Sequence, residues 1–161
     1  MTTIIDQSLS ARAQESVAAR FISTPPPEAR VVSLALSSSD VGVQRNGGRM
    51  GSRLGPQALV ATFKKLALPQ ENQATFFLDQ VVSEQVTEER DYFLSIQQQI
   101  ANLRRLSTQH DLIHLGGGHD HIYPLLCSLG DGPIVVINVD AHLDTRTDTA
   151  PHSGNPFRRF A

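Results

Sequence analysis

Short apolar runs alternate along this chain with longer segments in which apolar residues recur every three or four positions. The short runs are rich in β-branched and large aliphatic residues, a composition typical of buried strands. They span residues 31–36, 75–82, 111–115 and 134–139. Segments with helical spacing lie between them, at 55–66, 87–108 and 120–129. This alternation predicts a three-layer α/β/α domain around a mostly parallel sheet. Within that sheet we expect 111–115 to be a central strand and 134–139 the most continuous apolar one.

Segment 87–108 predicts the best-defined helix of the chain. Thr87 suits the N-cap, acidic residues follow it near the positive end of the helix dipole, and Arg104 and Arg105 lie near the negative end. The three glutamines at 97–99 predict a solvated face. An apolar face is predicted at Phe93, Ile96, Ile100 and Leu103. We expect this helix to pack on the sheet.

Two other segments frame the domain. We expect residues 1–30 to form an N-terminal arm or peripheral helix, because three prolines after Thr24 stop any helix. The domain itself is predicted over residues 31–161. A loop with five glycines between residues 42 and 55 admits two interpretations. It either exposes Arg45, Asn46 and Arg49 towards a substrate, or its glycines serve only tight backbone turns.

Composition and charge narrow the class of protein. The chain has 161 residues, 40% of them hydrophobic, which suffices for one ordinary domain. Its 16 acidic residues outnumber the 14 basic ones, so a nucleic-acid partner is not expected. No apolar run has the length of a membrane span or signal sequence, and one cysteine, Cys127, fits a reducing compartment. We therefore expect a cytoplasmic protein that acts on a small molecule and does not bind a membrane.

Ligand-type side chains follow the apolar run 134–139. Asp140, His142 and Asp144 alternate directly after it, and alternating residues of an extended chain point to the same side. Without a cation, two carboxylates converging at a buried strand end would repel each other. Mixed oxygen and nitrogen ligands suit Mn²⁺, Zn²⁺, Fe²⁺ or Co²⁺. The spacing therefore predicts a metal site.

A second group of candidates follows the run 111–115. His119 comes after three glycines, which let the backbone turn sharply and approach a bound ligand closely. Asp120 is ambiguous, since it also suits the N-cap of the following helix. We interpret Asp120, Asp140 and His142 as candidate catalytic residues, and metal-assisted hydrolysis as the reaction class.

The stretches 116–120 (GGGHD) and 138–144 (NVDAHLD) resemble two signature motifs of the ureohydrolase superfamily, which includes arginase, agmatinase and formimidoylglutamase. The tail 152–158 (HSGNPFR) is most similar to the formimidoylglutamase branch. Arg146 and Phe157 also favour that branch, because arginases have asparagine and histidine at the two positions.

The resemblance implies an arginase-like fold with two Mn²⁺ ions. It also implies hydrolysis of N-formimidoyl-L-glutamate to L-glutamate and formamide, a step of histidine degradation, in a homo-oligomer. His119, Asp140 and Asp144 would bind one ion, with Asp140 bridging to a second held by His142. The implied substrate-binding residues are Arg146, Ser153, Asn155 and Arg158.

The resemblance covers roughly residues 30–161, and the family's remaining metal-binding signature, a Ser-x-Asp-x-Asp-x-x-Asp-Pro stretch, is absent from this sequence. The predicted fold is therefore incomplete at its C-terminus. Two alternatives stay open: an agmatinase or guanidinobutyrase that shares every metal ligand, and a non-catalytic metal-binding relative.

Overall fold

The computed structural model of this chain describes residues 16–25, 31–68, 74–82 and 89–161. Its centre is a sheet of four parallel strands in the order β1-β3-β2-β4. The strands are β1 (Phe21–Ile22), β2 (Val31–Ser37), β3 (Thr75–Val82) and β4 (Asp111–Gly116). This arrangement confirms the predicted α/β class and parallel sheet.

Helices and 3₁₀ turns connect and cover the strands. The α-helices are α1 (Val41–Arg45), α2 (Gly55–Phe63), α3 (Glu89–Ser107), α4 (Ile122–Ser128) and α5 (Pro156–Phe160). The 3₁₀ turns are Val17–Arg20, Ser52–Leu54 and His119–His121. Pro56 stands in the first turn of α2, as predicted, where its missing N–H costs nothing. Among the residues described, no helix is both long and apolar enough to cross a membrane.

Strand β2 is buried on both faces, which explains its almost continuous apolar sequence. On one face, Leu34 and Leu36 pack with Val60 of α2. On the other face, Ala35 packs with Leu103 and Leu106 of α3, together with Val81 of β3. The sheet is therefore sandwiched between α2 and α3, and these contacts form the three layers.

Helix α3 packs inward most of the predicted apolar face, at Ile96, Ile100 and Leu103, and only Phe93 departs from the prediction. Phe93 is 41% exposed, and the aromatic residue that packs inward is its neighbour Tyr92. Gln99 is 2% exposed, so the prediction of a solvated glutamine face was wrong at that position. Its amide is accommodated because Ser37, Ser95 and His121 surround it with hydrogen-bonding partners. The predicted N-cap, Thr87, lies outside the described residues, as does most of the predicted N-terminal arm.

Two predictions about the carboxyl-terminal strands were wrong. In the described part of the chain, β4 is at the edge of the sheet and not at its centre. Residues 134–139 form no strand, and Val135, Ile137 and Val139 are 90%, 86% and 95% exposed. The physical reason is that an apolar sequence becomes a strand only by pairing and burial, and within the described residues this segment pairs with no strand of the sheet.

Candidate metal centre

The backbone at the carboxyl end of β4 is packed too closely for any side chain. Gly117 donates its N–H to the Ser37 carbonyl oxygen at 2.9 Å. A Cβ atom at Gly117 would lie 2.3 Å from the Ser39 carbonyl oxygen and 2.9 Å from Arg53 Cα. Glycine is therefore required here, and the tight passage leads directly into the turn His119–His121.

Three predicted ligands meet beyond this turn: His119, Asp140 and Asp144. Each offers one ligand atom, and these atoms all lie within 4.8 Å of one another. His119 Nδ1 is 3.3 Å from Asp140 Oδ2 and hydrogen-bonds with Asp144 Oδ2. The ring of Phe157 meets the His119 ring edge-on, with centroids 5.5 Å apart. The structure thus brings together one imidazole and two carboxylates from two distant segments.

Local backbone geometry helps to place the two carboxylates. Asp144 has a φ of 48°, in the left-handed region that Asp and Asn tolerate better than most residues. The His142 backbone N–H donates to Asp140 Oδ1 at 2.9 Å, and this bond lowers the pKa of Asp140, helped by the nearby His119 and His142 rings. Asp140 is thus favoured in its charged form, which is the form that binds metal.

The donor set fits a divalent transition metal. Two carboxylates directed at the same imidazole nitrogen supply the mixed oxygen and nitrogen ligands that such ions prefer. A cation between the carboxylates would also offset their mutual repulsion. These three residues would hold it.

His142, the fourth predicted ligand, is placed beside this group but not in it. Its side chain is 79% exposed, and its Nδ1 is 3.6 Å from Asp140 Oδ1. The predicted convergence of 140, 142 and 144 assumed a regular strand geometry. Because this segment is irregular, its alternate residues do not all point to the same place.

Asp120, a predicted catalytic residue, lies within the protein interior and is not the N-cap of the helix that follows. Its Oδ2 accepts a hydrogen bond from the Tyr92 hydroxyl at 3.0 Å, and burial together with this carboxylate raises the pKa of Tyr92. Gly42 makes room for it, since a Cβ there would lie 2.0 Å from Asp120 Cγ. Asp120 therefore joins α1, α3 and the turn after β4, and its catalytic role stays a prediction.

A buried polar network behind the turn was missed by sequence reasoning. His121 Nδ1 hydrogen-bonds with Gln99 Oε1 at 2.8 Å, and His121 Nε2 with the Ser39 carbonyl at 2.9 Å. His114 Nε2 hydrogen-bonds with Ser37 Oγ at 2.8 Å. Desolvation, with a smaller contribution from His121, lowers the pKa of His114 to about 3. The available signal was Gln99 itself, which continues the heptad spacing of Tyr92, Ile96, Leu103 and Leu106.

The four predicted substrate-binding residues fall into two groups. Arg146 and Ser153 both contact Asn46, and Arg146 lines a cavity of about 390 Å³ next to the metal group. Asn155 is fully buried and holds its own loop, donating to the carbonyls of Asp148 and Ala150. Arg158 is exposed on α5. Only Arg146 and Ser153 are therefore joined in one arrangement.

The fold is that of an α/β protein with a parallel sheet, and its candidate metal ligands lie beyond the carboxyl ends of the strands, where sites of this class are found. Within that class, the family model described as "Arginase family" matches residues 32–161. This chain therefore belongs to the arginase family, whose members are metal-dependent hydrolases, and the resemblance carried by its motifs is confirmed.

Relatives and solved structures agree with this assignment. The chain is 37% identical over 127 residues to formimidoylglutamase of Staphylococcus haemolyticus, covering 75% of this chain and 39% of that protein. To formimidoylglutamase of Nocardia farcinica it is 32% identical over 130 residues, covering 76% of this chain and 41% of that protein. The crystal structure of Trypanosoma cruzi formiminoglutamase with Mn²⁺ matches with a TM-score of 0.72 at 25% identity, covering 89% of this chain and 51% of that one. The chain thus spans about two fifths of the length of the curated relatives it matches.

Proposed function

We propose that this protein is a manganese-dependent hydrolase of linear amidines, with N-formimidoyl-L-glutamate as its substrate and L-glutamate and formamide as products. The observation that carries the proposal is the convergence of His119, Asp140 and Asp144. Its context is a chain 32–37% identical to proteins named formimidoylglutamase. The proposal places the protein in histidine degradation.

The reaction adds one water molecule to the formimidoyl carbon. The new carbon–oxygen bond forms as the bond from that carbon to the glutamate nitrogen breaks, and the nitrogen leaves with a proton as the amino group of glutamate. When bound, divalent metal ions lower the pKa of a coordinated water towards neutrality, which supplies the nucleophile. His119, Asp140 and Asp144 would hold the metal, and exposed His142 beside Asp140 is available to a second ion.

Charge near the site favours an acidic substrate. Arg146 lines the cavity that also borders His142 and Asp144, so a guanidinium lies beside the metal group. A planar guanidinium pairs well with a carboxylate, and N-formimidoyl-L-glutamate carries two. Agmatine is a cation and would be repelled, so this residue argues against the agmatinase alternative.

The proposal is tested by metal content and hydrolysis in the Mn²⁺-loaded protein. We expect formimidoylglutamate to be hydrolysed faster than agmatine, and Asp140→Asn to lose both bound metal and hydrolysis. The matched control is Asp131→Asn, which changes an exposed carboxylate in the turn before the ligand-bearing segment. If Asp140→Asn kept full metal content and rate, the assignment of the site would be wrong.

A further inference from the structure

We propose that Asn46 is a positioning residue that holds Arg146 and Ser153 in place for a substrate carboxylate. This inference rests on the proposed function and deepens it. It extends the first interpretation of the glycine-rich loop, because it gives Asn46, at the start of that loop, a role in substrate selection.

The backbone fixes Asn46 at the end of α1. Its N–H donates to the carbonyl oxygens of Gly42 and Val43, each at 3.2 Å, so the residue caps the helix. Gly47 follows with a φ of 73°, which turns the chain away from the helix directly after Asn46. The side chain of Asn46 is thus presented from an anchored position.

Both ends of the Asn46 amide are used. Its Oδ1 accepts a hydrogen bond from Arg146 Nη1 at 2.7 Å, and its Nδ2 donates to Ser153 Oγ at 3.2 Å. A carboxamide offers one acceptor and one donor group, and here the acceptor faces the cation and the donor faces the hydroxyl. A single side chain therefore sets the positions of two predicted substrate-binding residues.

The backbone around these three residues is tightly packed. The Arg146 N–H donates to the Gly154 carbonyl at 3.1 Å, and the Ser153 N–H donates to the Gly42 carbonyl at 3.0 Å. A Cβ at Gly154 would lie 3.1 Å from both Arg146 Cδ and Asn46 Nδ2. The contact between Asn46 and its partners is thus confined by neighbouring atoms and is not a chance meeting of long side chains.

The neutrality of Asn46 matters for substrate binding. Within the described residues Arg146 forms no ion pair, and its partner Asn46 accepts one hydrogen bond without cancelling the positive charge. A guanidinium has five N–H donors, so donors remain for a carboxylate in the adjoining cavity. An aspartate at position 46 would hold Arg146 in the same place but would neutralise it.

Three variants test whether the neutral charge of Asn46 matters. Asn46→Asp keeps the size and the acceptor oxygen but adds a charge, and Asn46→Ala removes both hydrogen bonds. Gln44→Ala is the control, because it removes an exposed amide on the same helix. The probes are L-glutamate, measured by its dissociation constant with the Mn²⁺-loaded protein, and formimidoylglutamate, measured by kcat and KM.

We expect Asn46→Asp to weaken glutamate binding and raise KM by about tenfold or more, as loss of a charge-assisted carboxylate contact does. Asn46→Ala should weaken both by roughly threefold to tenfold. All variants should keep kcat within about twofold and keep their bound metal, since Asn46 does not touch the metal ligands. Gln44→Ala should match the wild type in every measurement.

Three results would overturn the inference: wild-type affinity for glutamate in Asn46→Asp, equal losses in Gln44→Ala, or no glutamate binding by the wild type. If Asn46→Asp did not fold, Asn46→Ala would decide by the same comparison of binding with kcat. A wild type that bound glutamate without hydrolysing formimidoylglutamate would refute the proposed function alone, because the binding measurements would still test Asn46.

Discussion

The candidate metal centre joins two regions that are packed very differently. The sheet region, meaning β2, β3 and β4 with α1 to α4, contains the buried core and holds His119 through the tight passage at Gly117. The ligand segment, residues 133–150, supplies Asp140 and Asp144, yet every residue in it except Ile134 and Asp144 is exposed. One ligand is therefore positioned by close packing, and the other two largely by their contacts with that ligand.

His119 and the two aspartates are therefore held in place by different kinds of interaction. Packing fixes His119 whether or not a metal is bound, whereas few buried contacts fix Asp140 and Asp144. Metal binding should therefore order the ligand segment far more than the sheet region.

The largest effect is expected where the sheet region has no spare room. Gly117→Ala would place a Cβ atom against the Ser39 carbonyl and Arg53 Cα, so we expect a loss of about 3 kcal/mol or more in the free energy of unfolding, measured by urea denaturation. Gly132→Ala, next to the ligand segment, meets no atom within 4 Å and should be nearly neutral. Equal effects at the two glycines would contradict the contrast in packing.

Metal removal should act mainly on the ligand segment. Saturating metal at about 100 times its dissociation constant stabilises the folded state by about 2.7 kcal/mol. On chelation, we expect hydrogen exchange to accelerate at residues 134–146 while β2 stays protected. Asp140→Asn should give the fast-exchange pattern even in the presence of metal. If chelation accelerated hydrogen exchange in β2 as much as at residues 134–146, the two regions would open together.

Acid should weaken the sheet region through His114. Its pKa is lowered to about 3 in the folded state, so between pH 6.5 and 3 the unfolded chain binds a proton that the folded chain does not. Stability is then lost as the pH falls through this window, because protons bind preferentially to the unfolded chain. In wild type, we expect the midpoint of urea denaturation to fall as the pH is lowered over this range. His114→Asn should make this fall smaller. An unchanged slope would show that the ring titrates alike in both states.

The smallest effect is expected for the hydroxyl of Tyr92. Tyr92→Phe removes the donor to Asp120 Oδ2 and leaves a buried carboxylate oxygen without this partner, at a cost of about 1–2 kcal/mol. The neighbouring Phe93→Ala changes an exposed ring and should alter stability by less than about 0.5 kcal/mol. Thermal or urea unfolding of the two variants measures both changes in stability. A larger loss of stability in Phe93→Ala than in Tyr92→Phe would mean that the exposed face of α3 is covered.

The sequence predicts most reliably what local periodicity determines. Strand β2 and helix α3 are observed close to their predicted bounds, because continuous apolar runs and helical spacing are properties of neighbouring residues. The burial of the polar residue Gln99 on α3 depends on long-range partners. Gln99 continues the local spacing of the buried positions, but the sequence does not show that Ser37 and His121 from other elements hydrogen-bond with its amide.

The candidate site shows the same division. Ligand-type residues after two apolar runs predict the grouping of His119 with Asp140 and Asp144, and the structure brings these three together. The position of His142 and the role of Asn46 could not be predicted in this way. The first depends on an irregular backbone, and the second on a contact between residues 100 positions apart.

These separations along the chain also suggest an order of assembly during folding. The contact between His119 and Asp144 closes a loop of 25 residues, whereas the contact between Asn46 and Arg146 closes one of 100. By loop-closure entropy alone, the fourfold longer loop costs about 1.2 kcal/mol more. We therefore expect the metal-binding half of the site to form early from nearby residues, and the carboxylate-binding half to form only when the distant segments that contain Asn46 and Arg146 have met.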